Sequence, residues 1–169
     1  MLPIIRPMRT GDIDTVLALQ AVAYADAAFA PEPAAVYLNR MSLAPDLCLV
    51  AQSAVGDVIG YLVSHPWHDG KPPALNTELS ALPVAATRWY LHDCAVAASA
   101  RGNGVAAALY EAARDVAVCR GLRCAALVAV GDAAGYWAQR GYRPALGTVP
   151  VQALASYGEG ACYMSRVLG

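Results

Sequence analysis

The chain has 169 residues, of which 57% are hydrophobic and 15% charged, and its formal net charge is −1 at pH 7. That length and balance fit one domain over residues 1–169 with a sizeable core and exclude a disordered chain. The near-neutral charge, with no basic stripe, argues against nucleic acid as a partner, and no apolar stretch reaches the roughly 18 residues of a membrane span.

In chain order, Ile4 to Met8 reads as a first strand, and Thr10 or Asp12 caps a helix running from Ile13 to about Ala27. Pro31-Glu32-Pro33 breaks the pattern, and Pro33 opens a second helix that runs to about Met41. Leu47–Gln52 and Val58–Ser64 flank the turn Val55-Gly56-Asp57 as a hairpin. Residues 66–86 hold five Pro or Gly positions and form a long irregular loop, a kind of segment that often carries function. Arg88–Ala97 suits a central strand, Gly102–Cys119 a helix stopped by Gly121, and Cys124–Val130 a buried strand. Ala133–Arg140 is a short helix closed by Gly141, and Leu146–Val151 with Ala161–Val167 reads as a final antiparallel pair.

The five cysteines (Cys48, Cys94, Cys119, Cys124 and Cys162) are odd in number, lie in apolar runs and lack metal-finger spacing. With no long apolar run after Met1, they imply a reducing, cytoplasmic setting. His65 and His68 flank Trp67, but no third ligand is evident, so no metal site is expected.

The most informative stretch joins the strand ending at Val96 to the helix beginning at Gly102-Asn103-Gly104. Two glycines remove side chains where a ligand must approach the backbone, and the helix start offers unpaired N–H groups and partial positive charge. Such a turn suits a phosphate. A dinucleotide fold would need a third glycine where Ala107 stands, and a P-loop would need Gly-Lys, whereas Lys71 is the only lysine.

Arg101-Gly-Asn-Gly-Val-Ala106 resembles the R/Q-x-x-G-x-G/A motif of the GNAT acetyltransferases, and Ala133-x-x-Tyr-Trp-x-x-x-Gly-Tyr142 is similar to their A-x-x-F-Y-x-x-x-G-F segment. The resemblance implies an α/β (α+β) fold: a mixed, mostly antiparallel sheet of six to seven strands with about four helices. In it the strand over 88–97 splays from the strand over 124–130. It also implies acetyl-CoA as co-substrate. The amides of Arg101, Gly102, Asn103, Gly104, Val105 and Ala106 would hold its diphosphate, and Cys94, Ala95 and Val96 would pair with the pantetheine arm. Trp137 stands where the family usually has a tyrosine acid, with Tyr136 just before it, so the proton donor to the leaving thiolate is open between water and Tyr90.

An alkylamine has a pKa of about 10.4, so removing its proton at pH 7 costs roughly 4–5 kcal/mol and calls for a base. Strand alternation puts Tyr90, His92 and Cys94 on one face and Asp93 on the other. Leu91-His-Asp-Cys-Ala-Val96 resembles the L-H-x-L-A-V stretch of arylalkylamine N-acetyltransferases, which implies His92 as base, with Tyr90 in place of a second histidine. Tyr24, Phe29 and Trp67 are expected to wall the acceptor cleft.

The function so implied is direct transfer of acetyl to a small-molecule amine by a monomer or homodimer. The alternatives are a protein or peptide N-acetyltransferase and a non-catalytic acyl-CoA-binding module.

Overall fold

The computed structural model describes residues 1–145, 147 and 149–169. Its strands are β1 (Ile4–Pro7), β2 (Cys48–Gln52), β3 (Val58–Trp67), β4 (Arg88–Val96), β5 (Cys124–Ala129), β6 (Arg143–Pro144) and β7 (Cys162–Val167). They form one sheet in the order β1-β2-β3-β4-β5-β7-β6. Every neighbouring pair is antiparallel except β4 with β5. The α-helices are α1 (Ile13–Ala23), α2 (Ala34–Leu43), α3 (Val105–Cys119) and α4 (Ala133–Gln139). The mixed, mostly antiparallel sheet implied by the motifs is therefore the one observed.

Helix α3 covers one face of the sheet. Val105, Leu109, Tyr110, Ala113 and Ala117 repeat every three to four residues and pack on Leu62, Trp89, Leu91 and Leu127. The other face is covered by α1 and α2, where Ile13, Val16 and Tyr37 meet Val50, Tyr61 and Val63. A bidentate contact from Arg6 to Asp12, at 2.8 and 2.9 Å, ties β1 to the start of α1.

Three boundaries differ from the expectation. Helix α1 ends at Ala23 rather than Ala27. Strand β3 runs on through Pro66, which a central strand would reject; β2 ends opposite Val63, so at Pro66 only β4 is a neighbour and the missing N–H is not needed. The partner of β7 is not 146–151 but Arg143–Pro144, extended by an Ala145 N–H bond of 3.0 Å to the Tyr163 carbonyl. Of the expected strand, Leu146 and Thr148 lie outside the described residues, and a 3₁₀ helix, Val151–Tyr157, begins behind Pro150.

The long loop before β4 is held rather than free. Asn39 of α2 makes two hydrogen bonds to the backbone of Leu79, at 2.9 and 2.8 Å, and the enclosed Arg40 donates to the Thr77 carbonyl at 2.7 Å. No helix among the described residues is long and apolar enough to cross a membrane.

His65 on β3 is fully enclosed, with its Nδ1–H donated to the Pro66 carbonyl at 2.9 Å. Burial pushes its pKa from 6.5 down to about 3, against the smaller opposing pull of that carbonyl. The unfolded chain therefore binds a proton that the native state refuses, and stability is full above about pH 6.5 and falls as pH drops toward 3. Urea unfolding is expected to show this fall, with a slope approaching about 1.4 kcal/mol per pH unit between roughly pH 6 and 4. His65→Gln should flatten it; an identical slope in that variant would contradict the assignment.

Candidate functional site

Strand β4 changes register at its centre. Val63 pairs with Asp93 but the next residue, Ser64, pairs with Leu91, so His92 is an extra residue on β4. A bulge of this kind reverses which side chains face which way beyond it. Trp89 and Leu91 pack under α3 before the bulge, and Cys94 and Val96 do so after it. His92 and Asp93 consequently both reach the α1/α2 face, while Cys94 lies on the opposite one. This corrects the simple alternation, which grouped His92 with Cys94 and set Asp93 apart.

The bulge also marks where β4 leaves β5. Their parallel pairing runs from Arg88–Cys124 to Leu91–Leu127 and then stops. The divergence opens a cleft of ≈ 910 Å³ lined on the sheet by Leu91–Val96, Leu127, Val128 and Val130. Arg101 and Ala106 line it from the start of α3, and Tyr136 and Trp137 from α4.

At its α3 end the cleft meets the glycine turn. Gly102 and Gly104 have φ of +79° and +76°, values that residues with a Cβ rarely adopt. A Cβ at either would meet nothing within 4 Å, so the space above the turn is open to a ligand. The first helical bond runs from the Ala108 N–H to the Gly104 carbonyl at 2.9 Å, which leaves the preceding amides free of intrahelical acceptors. These features fit a diphosphate. Asn103 and Val105 also line a smaller neighbouring hollow with Met1, Leu2 and Ile59. Ala95 and Val96 lie along the cleft where β4 has lost β5, so backbone groups on that edge are available to an extended ligand. The Cys94 thiol is pushed up to about 12 by burial and then by the Asp93 charge, which makes it inert packing rather than a nucleophile.

On the α1/α2 face the central contact is between His92 Nε2 and Glu32 Oε1, at 2.6 Å, with both side chains almost wholly enclosed. Glu32 Oε2 also accepts the Asn76 N–H at 2.9 Å. Burial pushes the Glu32 carboxyl up, but the His92 hydrogen bond and charge, with the Asn76 amide, bring it below its ordinary value. A carboxylate only accepts, so Nε2 carries a hydrogen, and a neutral ring then has its lone pair on Nδ1. That Nδ1 is buried and meets no partner among the described residues. Gln20 of α1 fastens the Glu32 backbone from both sides, accepting its N–H at 2.8 Å and donating to its carbonyl at 3.0 Å.

Next to His92, the Asp93 carboxylate accepts three phenols: Tyr24 on Oδ1 at 2.6 Å, and Tyr37 and Tyr61 on Oδ2 at 2.7 Å each. Glu32 and Gln20 were not among the candidate site residues read from sequence, and Asp93 was set on the opposite face. The signals were a glutamate locked between two prolines and a glutamine within an apolar helical stripe.

The other expected residues separate. Tyr24 and Phe29 line the cleft, their ring centroids 5.6 Å apart. Trp67 does not line it; its indole donates to the Lys71 carbonyl at 2.6 Å and packs edge-on to His65. Tyr90 is enclosed behind the cleft wall and donates at 2.8 Å to the Tyr157 hydroxyl, which itself donates to the Pro73 carbonyl. Burial raises the Tyr90 pKa well above the usual phenol value. Trp137 lines the cleft among Tyr110, Tyr136 and Tyr142, and the Arg140 guanidinium lies 4.8 Å from the Tyr136 ring centroid.

A family model described as Acetyltransferase (GNAT) family matches residues 14–143. No curated protein matches the sequence significantly. Among solved structures, Ard1 from Thermoplasma volcanium is similar at 18% identity and a TM-score of 0.74, over 100% of this chain and 99% of that one. Naa50 from Arabidopsis thaliana, in complex with the bisubstrate analogue CoA-Ac-MVNAL, is similar at 13% identity and a TM-score of 0.71, over 99% and 100%. N-acetylglutamate synthase from Neisseria gonorrhoeae, complexed with coenzyme A and N-acetyl-glutamate, is similar at 16% identity and a TM-score of 0.76, over 100% of this chain and 36% of that one. With the family's model matched from the first helix to β6, and a cleft that fits its co-substrate, the chain belongs to the GNAT family and is an acyltransferase that uses acetyl-CoA.

Proposed function

We propose that this acyltransferase moves acetyl from acetyl-CoA to the amine of a small molecule, by direct attack within a ternary complex. The observation that carries the reading is the Glu32–His92 contact in the wall of the cleft: with Nε2 bonded to Glu32, Nδ1 is the ring nitrogen left to act as base. Glu32 sets the ring's tautomer and orientation, and Gln20 and Asn76 hold Glu32. His92 takes the amine proton, a task that usually contributes about 10²–10⁴-fold to rate.

When bound, acetyl-CoA supplies an activated acetyl group. Amides of Arg101–Ala106 hold its diphosphate, and the free edge of β4 at Cys94–Val96 orients the arm and offers an N–H to the thioester oxygen. Tyr24 and Phe29 bound the acceptor side. Tyr90 supports Tyr157, and Trp137 packs beside the donor. Water, or a proton relayed through Tyr157, meets the leaving thiolate.

A small acceptor is favoured because the two loops over that side approach each other closely. A Cβ built on Gly158, before β7, would lie 3.4 Å from the Ala28 methyl of the α1–α2 loop. The arylalkylamine subclass rests on the His92 segment and the aromatic walls. A peptide acceptor is the second reading, favoured by the overall likeness to Ard1 and Naa50. Five free cysteines support a cytoplasmic setting, as a monomer or homodimer.

An assay of CoA release across small amines and short peptides tests the substrate class: amines should turn over and peptides should not. His92→Ala should lower kcat by about 10²–10⁴-fold while coenzyme A binding is kept. Glu32→Gln, which can donate to Nε2 and so move the ring hydrogen to Nδ1, should also lose most activity; unchanged turnover in both variants would remove the base from this dyad. Gly104→Ala should cost about 1–2 kcal/mol in stability because of its left-handed backbone, and should weaken coenzyme A binding at least tenfold by calorimetry. Undiminished affinity would place the diphosphate elsewhere.

A further inference from the structure

We propose that Asp93 is the counter-ion for the acceptor, which enters as an ammonium ion and is held at the cleft floor before His92 removes its proton. The inference rests on the cleft being the acetyl-transfer site, and it assigns the acceptor class as primary amines with an apolar body that are cationic when they bind.

The charge of Asp93 is the first ground. The residue is only 7% exposed, lines the cleft beside His92 and has no basic side chain in ion-pair contact among the described residues. Three phenols, from the residue that follows α1, from α2 and from β3, solvate it, and burial together with the Asp93 charge keeps their hydroxyls protonated. They bring hydrogen bonds but no positive charge, and an enclosed charge without a counter-charge is costly. An ionised carboxylate offers about four lone-pair positions. Among the described residues Oδ2 has two phenols and Oδ1 has Tyr24 alone, which leaves one position on Oδ1. An ammonium N–H there completes the shell and makes a charge-assisted bond.

The second ground is the neighbouring imidazole. His92 Nδ1 is buried and unpartnered on the same wall, and the bulge brings it to the same face as Asp93. An anion that binds the cation and a base that deprotonates it thus stand on consecutive residues. The remaining charged lining groups agree. Asp26, Asp132 and Glu159 are acidic, and the single guanidinium, Arg101, lies at the diphosphate turn. The apolar lining from Phe29 and the Tyr24 and Tyr157 rings suits the amine's body.

A purely structural role for Asp93, as the knot joining three elements, would lower stability without discriminating between a cation and its neutral isostere. The test is calorimetric titration of 2-phenylethylamine and of 2-phenylethanol into coenzyme A-saturated protein. Wild type should bind the amine at least tenfold more tightly than the alcohol. Asp93→Asn should lose that preference and raise KM for the amine more than it lowers kcat. Tyr37→Phe removes one phenol but keeps the charge, and should lose stability with the preference intact. Equal binding of amine and alcohol by wild type, no amine binding at all, or a preference that survives in Asp93→Asn would each overturn the inference. If Asp93→Asn does not fold, the wild-type comparison still decides. Amine binding without CoA release from acetyl-CoA would instead sink the acetyl-transfer reading and leave the counter-ion standing.

Discussion

The structure turns on a pairing that is absent. From His92 onward β4 keeps its antiparallel partner β3 but gives up β5. A parallel pair that stops halfway leaves a row of backbone groups without ladder partners inside the domain, and such groups must be satisfied by something. Here they border a cleft that opens on the glycine turn at one end and on the α1–α2 loop at the other. The same extra residue that interrupts the register swings His92 and Asp93 together to the face covered by α1 and α2. One irregularity in one strand thus creates the opening and arms one of its walls.

The two carboxylates near that wall differ in what completes them. Glu32 is complete within the protein: a histidine on one oxygen, a backbone N–H on the other, and Gln20 clamping its own peptide groups. Its task is to orient an imidazole. Asp93 has only phenols, which solvate a negative charge without neutralising it. The two anions therefore differ in character: one is completed within the protein, and the other has no basic side chain in ion-pair contact among the described residues. A cluster of this kind is costly to bury, and its location beside the free Nδ1 gives that cost a chemical purpose.

Order in the surrounding loops follows from polar side chains reaching in from other segments rather than from local turn chemistry. Asn39 and Arg40 hold the loop before β4, Glu32 holds Asn76, and Ser156 accepts the Leu75 N–H at 2.9 Å. Twenty residues rich in Pro and Gly thereby become a fixed wall behind the imidazole instead of a mobile lid.

The order of elements was legible in the sequence because hydrophobic period and glycine position are local properties. Val105–Cys119 shows a helical stripe between Gly104 and Gly121, and Cys124–Ala129 shows a short apolar run. The glycine turn was legible for the same reason, since its geometry belongs to consecutive backbone positions. His92 was picked out by its neighbours on one strand. Glu32, sixty positions away, was not, because only the packing of α1 and α2 on the sheet brings its carboxylate to the ring. Nor was the face of Asp93: period-two alternation predicts the wrong side once an extra residue enters, and a bulge depends on the register of two strands. Spacing along the chain determined which backbone could hold a diphosphate. Only the tertiary structure, through contacts between residues distant in sequence, decided which side chains surround the His92 imidazole.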